Sequence, residues 1–189
     1  MKRDVTSKVM SQVCPSSSLS KSMSQRIILI GPPGSGKTTV GKILADELKI
    51  SCLDTDQLIE QTTGKKIGEI FLESGESEFR LIEREVVLKA LEVDEAVIAL
   101  GGGSILDSEV FEKLKGESLV VYLEVSISNA APRVGFNAER PLLLANPRQQ
   151  WLKLFEERKD LYSSLARIRI NTDNKKAKDS AVEILEILS

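Results

Sequence analysis

Gly31-Pro32-Pro33-Gly34-Ser35-Gly36-Lys37-Thr38 is a Gly-x-x-x-x-Gly-Lys-Thr run between two flanks of different pattern. Before it, Arg26-Ile27-Ile28-Leu29-Ile30 is short, apolar and β-branched, which predicts a buried parallel strand. After it, Val40, Ile43, Leu44 and Leu48 recur on one face of a 3.6-residue period, which predicts a helix over Lys37 to Leu48. Strand, glycine-rich loop and helix in that order make a phosphate-binding loop. The glycines let backbone N–H groups turn inward, and the positive end of the helix adds to the anion site. Lys37 would bridge the β- and γ-phosphates of a nucleoside triphosphate, and the Thr38 hydroxyl would take a place on Mg²⁺. The motif specifies nucleotide and metal but leaves the acceptor open.

Working outward, Ser51-Cys52-Leu53 reads as a second strand ending at Asp54, and Ala96 to Leu100 as a third, stopped by three glycines. Leu119 to Leu123 reads as a fourth strand. Ala166, Ile168 and Ile170 alternate with Arg167 and Arg169, as expected of a strand at a sheet edge. Glu76 to Leu91 carries Phe79, Ile82, Val86 and Ala90 at helical spacing; Pro147 to Tyr162 and the residues after Lys178 also read as helices. Strands alternating with helices imply βαβ units with right-handed crossovers. The expected fold is α/β, a doubly wound parallel sheet with helices on both faces. Ligands bind such sheets at the carboxyl ends of the strands, so chemistry is sought just after each strand.

The 189 residues suit one domain, expected over 25–189. Residues 1–24 are rich in Ser, Lys and Met, hold one acidic residue, Asp4, and lack an apolar core segment. They are expected to be a disordered extension, with Met23 as an alternative start, rather than a secretory signal. Net charge is -2, so no overall attraction to nucleic acid or anionic lipid is expected. No stretch is long and apolar enough to span a membrane. The two cysteines, Cys14 and Cys52, are too few for a disulfide framework and point to a reducing compartment, here the cytoplasm. With no histidine in the chain, acid–base chemistry near neutral pH falls to carboxylates, lysines or water.

At the second strand end, Asp54 and Asp56 stand two residues apart. One can reach the Mg²⁺ shell and the other can accept a hydrogen bond from an acceptor hydroxyl, while helix capping would account for one of the two. The third strand carries no terminal aspartate, so Asp54 is the better metal candidate. Gly101-Gly102-Gly103 is more glycine than a turn needs, which suggests close approach of a substrate to the backbone. Arg80 sits at the edge of an apolar helix face. Arg158 falls inside the stripe Trp151, Leu154, Phe155, Tyr162, where it needs an anion or a route for its head group to water. Two such arginines facing one anion would clamp a carboxylate or phosphate. Residues 135–146, with Arg140-Pro141, read either as a mobile lid or as an ordinary surface connection.

Taken in order, Gly31 to Thr39, Leu53 to Asp56, Gly75-Glu76-x-x-Phe79-Arg80-x-x-Glu83, Gly101 to Gly103, Arg140 to Leu143 and Glu157-Arg158-x-x-Leu161-Tyr162 resemble the shikimate kinase family over nearly the whole chain from about Gln25 onward. The resemblance implies a P-loop NMP-kinase-like fold with strand order 2-3-1-4-5. It implies transfer from ATP to the 3-hydroxyl of shikimate, on the route to chorismate and the aromatic amino acids. By resemblance, Asp56, Arg80, Gly101, Gly102, Gly103 and Arg158 hold shikimate. Gly34, Ser35, Gly36, Lys37, Thr38, Thr39, Arg133 and Arg140 hold ATP, and Thr38 and Asp54 the Mg²⁺ shell. Asp56, Lys37 and Arg140 are the expected catalytic set. A monomer with small-molecule partners only, and no nucleic acid or membrane partner, is expected. Two departures stand out: Pro132 directly precedes Arg133, and Asn171 to Lys175 lacks a proline or arginine common in relatives, so no adenine contact is assigned there. The competing readings are another small-molecule P-loop kinase, such as a gluconate kinase, and a catalytically silent nucleotide-binding module.

Overall fold

The computed structural model describes residues 26–134 and 147–189. Within them lie five strands, β1 Ile27–Ile30, β2 Ser51–Asp54, β3 Ala96–Ala99, β4 Val120–Glu124 and β5 Ile168–Asn171. All pairings are parallel, in the order β2-β3-β1-β4-β5. The expected architecture and strand order are both present. The extension 1–24 and the segment 135–146 lie outside the described residues.

Every residue of β1 and β3 is buried, which is why both read as unbroken apolar runs. Their side chains still alternate between faces. Ile28, Ile30, Ile98 and Tyr122 pack under α3 (Ile67–Ala90), α4 (Ser108–Lys115) and α6 (Pro147–Leu165). Ile27, Leu29, Val97 and Val121 pack under α1 (Lys37–Leu48) and α7 (Ala177–Leu188). Each fully buried Ile or Leu contributes about 1.5–3 kcal/mol by leaving water. β5 is an edge strand as its alternation predicts, with Ile170 buried and Arg169 exposed.

Register brings the strand ends level: Asp54 pairs with Ala99, and Leu29 with both Ala99 and Val121. The segments that follow, Gly31 to Gly36, Thr55-Asp56 and Gly101 to Gly103, therefore share one rim of the sheet.

The structure adds helices that the periodicity does not reveal. α2 (Thr55–Thr63) is nine residues with few apolar positions, and α4 is eight. α3 begins at Ile67, ahead of the expected Glu76, but its backbone breaks at Gly75, whose φ of 80° is left-handed. The second half matches the expected helix. α5 (Ile127–Val134) runs through Pro132. The proline deprives only the Ser128 carbonyl of its helical donor, and Ser128 is exposed to water. Among the described residues no helix is long and apolar enough to cross a membrane.

Candidate active site

The loop between β1 and α1 is built as the motif demands. Gly34 has φ 83°, and a Cβ there would lie 2.9 Å from the Ala130 carbonyl oxygen and 2.7 Å from Val134 Cγ2. Only glycine allows α5 to lie this close to the loop. Gly36 is the N-cap of α1 without a capping side chain, so the first amides of α1 are left facing the rim. Lys37 Nζ donates to the carbonyls of Gly31 (2.8 Å) and Pro32 (3.1 Å), which holds the ammonium across the loop.

The two aspartates have different surroundings. Asp54 is the capping residue: its Oδ1 accepts from the Gln57 amide at 3.1 Å, at the start of α2. Its Oδ2 accepts from the Thr38 hydroxyl at 2.6 Å. A hydroxyl and a carboxylate thus meet at the nucleotide end of the rim. Asp56 is not a cap. It lies in the first turn of α2, where the helix dipole favours its negative charge. A Cβ on Gly101 would come within 2.6 Å of Asp56 Oδ1 and 2.8 Å of Glu83 Oε1. A side chain at the first of the three glycines would push against both carboxylates.

On the other side of Asp56, Arg80 donates to Glu83 at 2.6 Å and to Glu76 at 3.0 Å. Burial works against the charged guanidinium, but these two carboxylates outweigh it and raise its pKa. Glu83 is buried and takes a second bond from the Ser104 hydroxyl at 2.9 Å. The guanidinium lies so close to Gly103 that a Cβ there would collide with it.

Arg158 is only 7% exposed. One of its amino groups donates to the Gly102 carbonyl at 3.3 Å, and its Nε has no hydrogen-bond partner among the described residues. No carboxylate among the described residues forms an ion pair with it. A largely buried cation with so few partners, lining a cavity on the rim, is suited to receive an anion.

Two cavities open on the rim. The first, about 390 Å³, is lined by the loop from Pro33 to Val40, with Asp54, Arg133, Thr172 and Ser180. The second, about 570 Å³, has walls of Phe71, Phe79, Trp151 and Phe155 and contains Arg80 and Arg158. They meet at Pro33, Asp56 and Gly102, which line both. The arrangement offers a phosphate cradle on one side, a carboxylate at the junction, and an aromatic chamber containing two arginines on the other. That layout suits phosphoryl transfer between a nucleotide and a small anionic acceptor.

Among the predicted residues, Gly34, Ser35, Gly36, Lys37, Thr38, Thr39, Asp54 and Arg133 gather around the first cavity. Arg80, Gly102, Gly103 and Arg158 line the second, with Asp56 shared. Gly101 stands behind Asp56 and lines neither. Arg140 lies outside the described residues. Arg133 donates to the Thr172 carbonyl at 2.8 Å and to its hydroxyl at 3.2 Å, so the turn around Pro132 does not displace it from the cavity.

Sequence reasoning missed Thr172, Trp151 and Tyr162 as site residues. Thr172 directly follows β5, and the strand-end rule applied to that last strand points to it. Trp151 and Tyr162 read as core positions in a helical stripe, but their polar atoms reach the rim. The Trp151 indole donates to the Pro33 carbonyl at 3.0 Å, and the Tyr162 hydroxyl to the Gly102 carbonyl. Cys52 plays no part: burial first, and then Asp54, push its thiol pKa up and keep it protonated.

Comparisons with known proteins agree with this geometry. A profile of the family described as shikimate kinase matches residues 33–189. A shikimate kinase from Rhodococcus jostii (strain RHA1) is 45% identical over 154 residues, spanning 81% of this chain and 91% of its own length. One from Thermobifida fusca (strain YX) is 48% identical over 154 residues, spanning 82% of this chain and 89% of its own. Among solved structures, shikimate kinase from Acinetobacter baumannii in complex with shikimate superposes with a TM-score of 0.83 at 38% identity, covering 86% of this chain and 92% of that one. The Aquifex aeolicus enzyme gives 0.76 at 35% identity, covering 87% and 96%.

Proposed function

The chain belongs to the shikimate kinase family, and on that premise we propose that its joined cavities transfer the γ-phosphoryl group of ATP to the 3-hydroxyl of shikimate. The products are shikimate 3-phosphate and ADP. The observation that carries the reading is the junction of the phosphate-loop cavity with the aromatic, arginine-containing cavity at Asp56.

ATP sits in the narrower cavity, its phosphates on the loop amides and on Lys37, which exchanges its carbonyl partners for phosphate oxygens. Arg133 lies over the base end. Shikimate sits in the wider cavity with its carboxylate on Arg158 and Arg80 and its ring against the Gly101 to Gly103 backbone. Asp56 accepts the hydrogen bond of the 3-hydroxyl and aims its oxygen at the γ-phosphorus. As the new O–P bond forms, the hydroxyl proton passes to Asp56, and the bond to the β-phosphate oxygen breaks to release ADP. Arg140, by resemblance, meets charge on the transferring group.

The Thr38 hydroxyl and Asp54 carboxylate fit Mg²⁺, which prefers hard oxygen donors and keeps ligands from water and substrate phosphate. No cluster of three or more acidic, Cys or His side chains able to hold a metal occurs among the described residues, which accords with a metal held partly by the nucleotide. When bound, Mg²⁺ offsets negative charge on the phosphates. A monomer acting on small metabolites in the cytoplasm is part of the same proposal.

The aromatic walls and triple glycine favour a compact ring over an open-chain sugar acid, and the silent-module alternative leaves Asp56 and Arg158 without a task. A coupled ADP-release assay against shikimate, quinate and gluconate separates these readings. Turnover is expected to be greatest with shikimate. Preference for gluconate, or tight ATP binding with no turnover, contradicts the proposal.

Arg158→Ala should raise the KM for shikimate by about 30- to 150-fold, as expected for about 2–3 kcal/mol from a lost charge-assisted contact. The KM for ATP should stay within about twofold. Equal effects on both substrates would instead assign Arg158 to holding the fold.

A further inference from the structure

Tyr162 is fully buried on α6, where its ring stacks on Tyr122 of β4 at 5.2 Å between centroids. Burial first, opposed by the nearby Arg158 charge, drives its phenol pKa far up, so the hydroxyl keeps its proton. It donates that proton to the Gly102 carbonyl at 2.5 Å, across 60 residues of sequence. Arg158 reaches the same carbonyl at 3.3 Å. Core packing needs only the ring of a tyrosine here; the hydroxyl is directed at one carbonyl of the glycine loop.

A trans peptide is planar, with its C=O and N–H pointing in opposite directions. No cis peptide occurs among the described residues, so fixing the Gly102 carbonyl also fixes the Gly103 N–H. Neither the Gly102 nor the Gly103 amide donates to a protein acceptor among the described residues. Both glycines line the acceptor cavity. Glycine is otherwise free to rotate this peptide, and a triple glycine is free over a wide range.

We infer that Tyr162 is a positioning residue for the acceptor: its hydroxyl locks the Gly102–Gly103 peptide so that the Gly103 N–H faces a substrate oxygen. A second consequence concerns Arg158. With Tyr162 already on the carbonyl, the guanidinium can turn its donors to an incoming carboxylate without stranding the Gly102 oxygen. The inference rests on the wider cavity being the shikimate site.

Tyr162→Phe keeps the ring and its stacking and removes only the hydroxyl. The KM for shikimate should rise about five- to tenfold, the effect of one lost positioning bond, with kcat and the KM for ATP within about twofold. Tyr122→Phe, which alters the stacking partner but no bond to Gly102, should leave all three parameters near normal. In ¹⁵N-glycine-labelled wild-type protein, the Gly103 amide resonance should shift on saturation with shikimate. This reading does not depend on Tyr162→Phe folding. Wild-type kinetics in Tyr162→Phe, a proportional rise in both KM values, or an unmoved Gly103 amide overturns the inference and leaves the shikimate reading intact. Failure of the wild-type protein to phosphorylate shikimate overturns both.

Discussion

Asp56→Asn should lower kcat about 10²-fold or more, in the range of a lost general base. The substitution keeps the shape of the side chain and removes its charge. Asp56 lines both cavities, against Gly101, and no histidine exists anywhere in the chain to replace it. Lys37 is held across the loop by the Gly31 and Pro32 carbonyls, and Asp54 is committed to Thr38 and the cap of α2. The capping role once open to either carboxylate belongs to Asp54, so it cannot explain Asp56. Stability should fall only by about 0.3–1 kcal/mol, the loss of one negative charge near a helix N-terminus. ATP binding, followed by calorimetry with a non-hydrolysable analogue, should be nearly unchanged. Near-normal turnover in Asp56→Asn would remove this residue from the mechanism.

Arg140→Ala should lower kcat by about 10³-fold or more while shikimate binding stays nearly intact, the pattern of an arginine that acts on the transferring phosphoryl group. Arg140 itself lies outside the described residues, but the flanks of its segment support the expectation. Ala130 and Val134, at the end of α5, press against Gly34 of the phosphate loop. Trp151, in the first turns of α6, bonds to Pro33 of the same loop. The chain thus leaves and rejoins the described structure beside the phosphate loop. Lys at this position should rescue poorly, since it lacks the planar fork that pairs with phosphate oxygens. An unchanged kcat in Arg140→Ala would make the segment an ordinary connection.

The sheet was legible because its central strands are buried on both faces and so appear as short apolar runs, while β5 alternates as an edge strand. The phosphate loop was legible because backbone geometry there can be met by few sequences. Short helices were not: α2 and α4 are held by tertiary packing and capping aspartates, Asp54 and Asp107, more than by an apolar stripe. Arg158 could be recognised because a charge in an apolar stripe contradicts its surroundings. Tyr162 could not, because a tyrosine in the same stripe contradicts nothing; only the structure shows its hydroxyl on a glycine carbonyl. The two roles of Asp54 likewise required distances, since spacing alone left the two aspartates interchangeable.

The central claim is that one chain moves a phosphoryl group from ATP to a single hydroxyl of shikimate. Phosphorus NMR of the reaction mixture tests it most directly, with the product's phosphorus coupled to the ring proton on the carbon that bears it. The account predicts one new phosphomonoester resonance, coupled to the proton at C3 and formed in equal amount to ADP. A resonance coupled to another ring position, or ADP and inorganic phosphate with no phosphorylated shikimate, would contradict it.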